Sequence, residues 1–345
     1  MDHFANTPAL RDALLSTLDG IPDPSDDAGQ PMAMLQRCPV AGITPLTDAP
    51  RLAARAGVAK VWVKDERSRM GLGSFKALGA AYVIACDAAC DAAKGRTYVT
   101  ASAGNHGLSV AAGAAAFGAH AVIFLADTVP EGFANRLRSI GAEVRRFGAT
   151  YADSMAEAAR MARIQGWTLL SDSSWPGYTD IPWRLMQGYL VLMDEVAAQI
   201  PAPPSHIFLQ AGVGGLAASC AAYARKIWGP APQIVVVEPD AAPALYASVQ
   251  AGSAQVTKGP VSAMGRLDCK EPSLIALRGL ARDADVFMLV SEDEARTGAD
   301  ASRDAGLGST PSGAAGIAGL LAGGAALGLG ADAHVLCILS EEPGG

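Results

Sequence analysis

The sequence has no uninterrupted apolar run of the roughly 18 residues that a transmembrane helix needs, although half of its 345 residues are hydrophobic. It also has no block of basic residues that could follow a phosphate backbone, and its formal net charge is -7. Its first residues lack the basic and apolar regions of a signal peptide. We therefore expect a soluble, cytoplasmic protein that binds neither membranes nor nucleic acids.

Motifs for metals and disulfides are also missing. The six cysteines form no C-x-x-C pair, and none of the five histidines lies four residues from another. Cysteines scattered in this way through a long chain fit neither a zinc site nor a disulfide framework. We expect reduced cysteines and no bound metal.

What the sequence does contain is an alternation of apolar segments of strand length with alanine-rich segments of helical spacing. This alternation predicts an α/β protein with mostly parallel sheets flanked by helices. A chain of 345 residues is typical of two domains, and the proline-rich residues 200–206 are the best candidate for a linker. The predicted strands are KVWVK, TYVTA, AVIFLA, EVRRFG, WTLLSD, HIFLQA, IVVVEP, VFMLVS and HVLCILS.

Lys76 stands at the start of an almost wholly apolar helical segment within MGLGSFKALGAAYVIA, residues 70–85. Burial would lower the pKa of its ammonium group, which is one way in which a lysine becomes a nucleophile. The alternative is a lysine that extends its charge from a helix end into solvent.

Two glycine-bearing turns each follow a predicted strand and open a helix. QAGVGGLAAS, residues 210–219, offers backbone N–H groups to an anion, and TASAGNHGLS, residues 100–109, places Asn105 between glycines. A lysine able to form an imine, a phosphate cradle and an asparagine turn are the parts that pyridoxal 5′-phosphate needs.

The first of these turns also allows a different interpretation. Gly212, Gly214 and Ala217 match G-x-G-x-x-A, and Glu238 ends the next strand, where the acid of a dinucleotide-binding unit would lie. An NAD-dependent dehydrogenase is therefore the alternative from another class of enzyme, although it leaves Lys76 and Asn105 without a role.

Longer segments resemble one family. VKDERSRMGLGSFKALGAAY resembles the K-D-E-x-x-R-x-G-L-x-x-F-K segment of diaminopropionate ammonia-lyases, within the tryptophan-synthase-β-like, fold type II group of pyridoxal-phosphate enzymes. ASAGNHG is similar to the asparagine loop of that group and AGVGGL to its phosphate loop. SDSSWPGYTDIPWRLMQGY resembles a tryptophan-bearing segment of the ammonia-lyases, and the order persists from about Cys38 to the C-terminus.

The resemblance implies a large cofactor-binding domain of residues 1–89 and 196–345, with an irregular N-terminal arm, and a small domain of residues 90–195 that carries the asparagine loop. It implies that Lys76 binds pyridoxal phosphate and that either Asp172 or Lys76, once it is freed from the cofactor, removes the α-proton of the substrate. The other implied cofactor ligands are Asn105, Gly212, Val213, Gly214, Gly215, Leu216 and Ser340. The implied substrate contacts are Ser102, Ala103, Gly104, His106, Trp175 and Tyr178.

Three departures from the family pattern bear on the substrate. Ammonia-lyases that accept both enantiomers have an aspartate where this sequence has Ala103, so we expect no action on D-isomers by that route. Arg266 and Lys270 replace glycines, and if they face the pocket they suggest an additional anionic group on the substrate. If they face solvent they have no such meaning. Pro311 stands where an acidic residue is usual.

These inferences predict a pyridoxal-phosphate-dependent carbon–nitrogen lyase that eliminates a β-substituent from an L-amino acid. L-2,3-diaminopropionate is the first choice, and it would give a 2-oxo acid, pyruvate, and ammonia. A dehydratase of L-serine, L-threonine or a 3-hydroxyaspartate-type acid is the alternative of the same fold, and a catalytically inactive binding subunit is a further one. The resemblance also implies a homodimer.

Overall fold

The computed structural model describes residues 2–344, which form two mainly parallel sheets packed with helices. Within these residues the strands are β1 (His3–Ala5), β2 (Leu46–Asp48), β3 (Lys60–Asp65), β4 (Thr97–Ala101), β5 (His120–Leu125), β6 (Glu143–Arg146), β7 (Thr168–Leu169), β8 (His206–Gln210), β9 (Gln233–Pro239), β10 (Val286–Val290) and β11 (His334–Leu339). The large sheet has the order β1-β10-β9-β8-β11-β3-β2 and the small sheet the order β6-β5-β4-β7. Among the described strands, β1 and β2 pair antiparallel with their neighbours and the other pairs are parallel.

The helices lie between the strands and pack on the sheets and on one another. They are α1 (Pro8–Ser16), α2 (Gly29–Leu35), α3 (Pro50–Ala56), α4 (Lys76–Ala89), α5 (Asn105–Ala116), α6 (Glu131–Ser139), α7 (Tyr151–Gln165), α8 (Asp180–Gln199), α9 (Gly215–Trp228), α10 (Ala244–Ala251), α11 (Leu274–Asp283), α12 (Glu292–Asp304) and α13 (Ala315–Gly323). A 3₁₀ helix spans Glu66–Gly71. None of the helices found in residues 2–344 combines the length and the apolar character that crossing a bilayer requires.

The predicted α/β class with mostly parallel sheets is confirmed, and each of the nine predicted segments contains a strand. The prediction missed β1 and β2, which have three residues each. Segments this short cannot show a periodic pattern, and they form because their backbones pair with the edges of a sheet that is already specified.

The prediction of an irregular N-terminal arm is wrong in part, because that arm contains β1, α1 and α2. The Thr7 side chain accepts a hydrogen bond from the Leu10 N–H at 3.4 Å, and Pro8 occupies the first turn of α1. Both features start helices. Residues 17–28 and 36–45 contain neither helix nor strand.

The two sheets fall on either side of the predicted domain division. All strands of the small sheet lie within residues 90–195, and all strands of the large sheet lie within residues 1–89 and 196–345. The division into two domains stays a prediction.

Neighbouring parallel strands bring distant segments to one edge of the large sheet. β8, β11 and β3 are adjacent and parallel, so their carboxyl ends lie together. The chain continues from these ends into residues 211–216, into Ser340 and towards Lys76, respectively. The carboxyl end of β4 in the small sheet leads to Asn105. In α/β folds this edge is where ligands bind.

Four buried charges hold the segment that leads to Lys76. Lys64, Glu66 and Arg69 are fully buried, and Glu195 of α8 is 4% exposed. Arg69 lies 2.7 Å from both Glu66 and Glu195, and Lys64 lies 2.6 Å from Glu195. Two cations therefore face two carboxylates, and the group fixes the 3₁₀ helix against α8.

Replacing Glu195 by alanine would leave two buried cations, Arg69 and Lys64, with one carboxylate of this group, Glu66. We expect the Glu195→Ala variant to lose about 3–5 kcal/mol of unfolding free energy, because uncompensated buried charge is costly. Urea denaturation measures this loss. Asp300→Ala is the control, because Asp300 and its partner Arg303 are 58% and 67% exposed, and we expect it to lose less than about 1 kcal/mol. Small and equal losses in the two variants would contradict the role of the network.

Candidate active site

Lys76 is the first residue of α4, at the edge of the large sheet. It pairs with a carboxylate from the small-sheet side, across what we call the cleft between the two sheets. Its Nζ lies 2.5 Å from Asp172 Oδ2, and the two side chains are 21% and 19% exposed. The chain reaches α4 through left-handed backbone at Met70, Gly71 and Gly73, with φ of 51°, 70° and 79°. This reversal of direction brings Lys76 to the sheet edge immediately after the 3₁₀ helix.

The pKa of Lys76 contradicts the prediction from the sequence. Burial alone would lower the pKa of the ammonium group, but the Asp172 carboxylate outweighs burial, and the pKa is raised above its ordinary value. Burial alone would also raise the pKa of Asp172, but Lys76 outweighs it, and that pKa is lowered. The lysine is therefore held as an ammonium and the aspartate as a carboxylate.

Tyr189 of α8 lies beside this pair, and the sequence analysis did not select it. Its ring packs edge-on against Phe75 with centroids 4.9 Å apart, and the centroid is 5.8 Å from Lys76 Nζ. A Cβ at Gly79 would lie 2.7 Å from the ring, so glycine makes room for it. The Tyr189 hydroxyl is buried and has no hydrogen-bond partner among the described residues. Its place at the end of M-Q-G-Y was the only signal in the sequence.

The segment that carries Asp172 is held from both sides. His106 Nε2 lies 2.8 Å from the Leu170 carbonyl oxygen, and the Tyr178 hydroxyl donates to the Leu169 carbonyl at 2.7 Å. His106 is 5% exposed, and burial lowers the pKa of its imidazole. The structure thus places His106 and the Tyr178 hydroxyl in contacts with the backbone before Asp172.

Trp175 covers the outer side of Tyr178. The two rings stack with centroids 4.3 Å apart and planes at 18°, and Trp175 is 36% exposed. Their backbones also pair with each other. The aromatic pair closes the turn that follows Asp172.

The loop after β8 forms a cradle of backbone N–H groups at the start of α9. A Cβ at Gly214, whose φ is 98°, would lie 3.0 Å from side chains of α10 and α11, and a Cβ at Gly212 would lie 3.0 Å from Cys269 Sγ. Within the described residues, five amides of this loop donate to no backbone oxygen: Gly212, Val213, Gly214, Gly215 and Leu216. Free amides at a helix N-terminus are suited to a phosphate.

Hydrogen bonds join the cradle to the segment of Asp172. The Ser273 N–H donates to the Val213 carbonyl at 3.0 Å, and the Ser273 and Ser174 hydroxyls lie 2.8 Å apart. Ser174 is two residues from Asp172. The predicted anion loop and the predicted base are therefore coupled by one buried link.

Glu238 does not face the cradle. It is 1% exposed and accepts hydrogen bonds from the N–H groups of Leu245 and Tyr246 at 2.8 and 2.6 Å, at the start of α10. Burial raises the pKa of its carboxyl to about 8. Glu238 is therefore not available to bind a ribose, as the interpretation of this loop as a dinucleotide-binding site requires.

The asparagine loop turns sharply before α5. Ser102 Oγ accepts a hydrogen bond from the Gly104 N–H at 3.3 Å, and Arg266 reaches the Ala103 carbonyl at 3.4 Å. Asn105 begins α5, and its Nδ2 donates to Glu341 Oε2. The side-chain amide therefore points across the cleft to the C-terminal segment.

Ser340 follows β11 and is 6% exposed. Its carbonyl accepts from the Phe75 N–H at 3.1 Å and its N–H donates to the Gly313 carbonyl at 3.2 Å. Ser340 is thus fixed next to the residue that precedes Lys76, at the place where the resemblance puts the partner of the pyridine nitrogen.

Glu341 is the second site residue that the sequence analysis missed. Its carboxylate accepts hydrogen bonds from Asn105 and from the Thr310 hydroxyl. Residues 309–313 include Pro311 at the position where the family pattern has an acid, and the carboxylate in contact with this loop comes from Glu341 instead.

Arg266 and Lys270, which stand where the family pattern has glycines, lie in different environments. Arg266 lies at the cleft: its Nε is 3.2 Å from where a Cβ of Gly104 would be, and its side chain is 44% exposed. Lys270 Nζ instead binds the Ala241 carbonyl at 2.7 Å and Asp268 at 2.6 Å, so it stabilises its own loop.

A known protein family matches most of this chain. Residues 38–341 match the family of pyridoxal-phosphate dependent enzymes. The chain belongs to this family. It is 35% identical over 273 residues to the diaminopropionate ammonia-lyase of Salmonella typhimurium, which covers 71% of this chain and 68% of that protein.

Solved structures of Escherichia coli diaminopropionate ammonia-lyase are also similar, over 99% of this chain and 93% of theirs. The complex with an aminoacrylate-PLP azomethine intermediate gives a TM-score of 0.84 at 29% identity, and the complex with D-serine gives 0.86 at 28% identity. The predicted resemblance and the fold type II class are confirmed, and the dehydrogenase alternative is not supported.

Pyridoxal phosphate, the predicted cofactor, is confirmed by the family. The residues present fit this group. The free amides of the cradle suit its phosphate, and Tyr189 lies between the cradle and the Lys76 amine: a Cβ at Gly215 would lie 3.7 Å from its ring, whose centroid is 5.8 Å from Lys76 Nζ.

In the Asp172→Asn variant Lys76 would lose the carboxylate that raises its pKa, and burial, which lowers the pKa of an ammonium group, would be the largest influence that remains. We expect the Lys76 amine of the cofactor-free variant to titrate below the usual lysine value, whereas in the parent protein it stays protonated through that range. NMR of ¹³C-methylated lysines measures both titrations. Lys60, which pairs with Asp48 on the surface, is the internal control. The same Lys76 titration in both proteins would contradict the ion pair.

Proposed function

We propose that the protein eliminates the β-substituent of an L-amino acid, with L-2,3-diaminopropionate as the substrate and pyruvate and ammonia as products. The observation that carries the proposal is the Lys76–Asp172 pair, flanked by an anion cradle and an asparagine loop. The identity of 35% to a diaminopropionate ammonia-lyase supports the choice of substrate.

Bound pyridoxal phosphate would act as an electron sink for the carbanion that forms when the Cα proton leaves. Lys76 would bind it covalently. The amides of Gly212 to Leu216 would hold its phosphate, and Asn105 and Ser340 would bind the edges of its ring. A neutral hydroxyl at Ser340 does not force a proton onto the ring, which favours prompt loss of the β-substituent.

Asp172 is proposed as the base for the Cα proton, and the structure suggests how it becomes one. The Lys76 ammonium lowers the pKa of Asp172, so the paired carboxylate is a weak base. Once Lys76 Nζ is neutral this effect disappears, and burial, which acts in the opposite direction, raises the pKa. Asp172 then gains basicity at the stage when a proton has to be removed.

The asparagine loop supports a preference for L-isomers. The E. coli relative is known in a complex with D-serine. In this chain Ala103 offers a methyl group where the family pattern has a carboxylate, and its carbonyl is occupied by Arg266. No second base is therefore available at this position for a proton on the other face.

A dehydratase of L-serine, L-threonine or a 3-hydroxyaspartate-type acid is the second candidate. Ala103 in TASAGNHG makes the loop more like that of the dehydratases, and Arg266 at the cleft could bind an additional carboxylate. An inactive binding subunit is disfavoured, because Lys76 and Asp172 are both present and paired. The homodimer and the cytoplasmic location stay predictions.

Ammonia release from both enantiomers of diaminopropionate, L-serine, L-threonine and 3-hydroxyaspartate tests the substrate. We expect L-diaminopropionate to react fastest and to give two ammonia molecules for each pyruvate, because both amino groups leave. The D-isomer should react about 10²–10⁴-fold more slowly, the usual value of a general base. Lys76→Ala is the inactive control. Equal rates for the two enantiomers would contradict the proposal that Ala103 deprives the site of a base for the D-isomer. If L-serine reacted faster and gave equal amounts of ammonia and pyruvate, the dehydratase would be favoured.

Asp172→Asn tests the base. We expect kcat for the L-substrate to fall by about 10²–10⁴-fold, with a smaller change in KM, because the carboxylate acts on the proton in the transition state. Asp180→Asn, at a side chain that is 80% exposed on α8, should leave both parameters unchanged. A loss in Asp172→Asn of less than about threefold would assign the proton transfer to Lys76 instead.

A further inference from the structure

Glu341 has no role in the reaction as proposed, yet its side chain is only 7% exposed and lies at the cleft. We propose that Glu341 is a positioning residue that orients the side-chain amide of Asn105 towards the cofactor site. The proposal rests on the proposed role of Asn105 as a cofactor ligand.

The contacts of the carboxylate define its orientation. Oε2 accepts a hydrogen bond from Asn105 Nδ2, and Oε1 accepts one from the Thr310 hydroxyl. Thr310 is itself fixed, because its hydroxyl oxygen accepts from the Gly313 N–H at 2.9 Å. Each carboxylate oxygen therefore accepts a hydrogen bond, and rotating the carboxylate away would break at least one of these bonds.

The backbone around Glu341 is shaped to admit this side chain. A Cβ at Gly313 would lie 2.9 Å from Glu341 Cγ and 2.1 Å from Ser309 Oγ. The Ser309 hydroxyl also donates to the Glu341 carbonyl. A side chain at position 313 would displace the glutamate, so the loop of residues 309–313 is built around it.

The consequence for Asn105 follows from the chemistry of an amide. Its nitrogen has two hydrogens, and Glu341 takes one of them. This bond fixes which end of the amide faces the C-terminal segment and leaves the second hydrogen for an oxygen of a ligand. Asn105 starts α5 of the small-sheet side and Glu341 follows β11 of the large sheet, so the bond also spans the cleft.

Arg266 is the nearest cation, but it does not replace this contact. Its Nε lies 3.7 Å from Glu341 Oε2, beyond hydrogen-bond distance, and its side chain is 44% exposed. Arg266 also lies over Gly104. The directional partners of Glu341 are therefore the two neutral donors, and a glutamine at position 341 can keep an acceptor for Asn105.

The test is the dissociation constant of pyridoxal phosphate, measured by fluorescence titration of cofactor-free protein without substrate. We expect Glu341→Ala to weaken binding about tenfold, the value of one hydrogen bond, and Glu341→Gln to stay within about threefold of the parent protein. Glu342→Ala is the matched control, because this neighbouring carboxylate is 47% exposed and lies 3.6 Å from Arg136. It should bind as the parent does.

A double-mutant cycle separates positioning from a general effect on folding. In an Asn105→Ala background the change Glu341→Ala should cost little further affinity, because the two residues act as a unit. Additive losses, parental affinity of Glu341→Ala, or equal losses in the Gln and Ala variants would each overturn the proposal. Since no substrate is present, a wrong choice of substrate under the proposed function leaves these outcomes unaffected.

Discussion

The Lys76 ammonium and the Asp172 carboxylate lie 2.5 Å apart, and neither can react while both keep their charges. An ammonium has no lone pair with which to attack a carbonyl, and a carboxylate with a lowered pKa is a weak base. In the proposed mechanism, neutralising Lys76 would therefore change both groups at once: it would provide the nucleophile and restore the basicity of Asp172. The pair is a resting arrangement in which each group suppresses the reactivity of the other.

The same pair joins the two sides of the cleft, and other polar contacts do so beside it. Lys76 belongs to the edge of the large sheet and Asp172 follows β7 of the small sheet, while the Asn105–Glu341 and Arg266–Ala103 contacts cross nearby. Each side has its own support. The buried charges around Arg69 fix the approach to α4, and the link between Ser273 and Ser174 ties the cradle to the segment of Asp172. The chemistry thus depends on loops whose positions are set by buried structure.

Features with a local cause could be predicted from the sequence, and features that depend on distant partners could not. The nine strands, the glycine turns and Lys76 are visible in short segments, because apolar periodicity and glycine act locally. The direction of the pKa shift of Lys76 depends on Asp172, 96 residues away, and the orientation of Asn105 depends on Glu341, 236 residues away. Arg266 and Lys270 looked equivalent in the sequence, but only the fold turns one to the cleft and the other to Asp268.

Reduction of the holoprotein with borohydride followed by peptide mass mapping tests the central claim, that Lys76 is the amine to which pyridoxal phosphate binds. Borohydride makes an imine link between a lysine and this cofactor permanent. We expect the phosphopyridoxyl label on the peptide that contains Lys76, and no label in the Lys76→Ala variant. A label on another lysine such as Lys64 or Lys270, or an unlabelled protein that holds the cofactor, would contradict this account of the site.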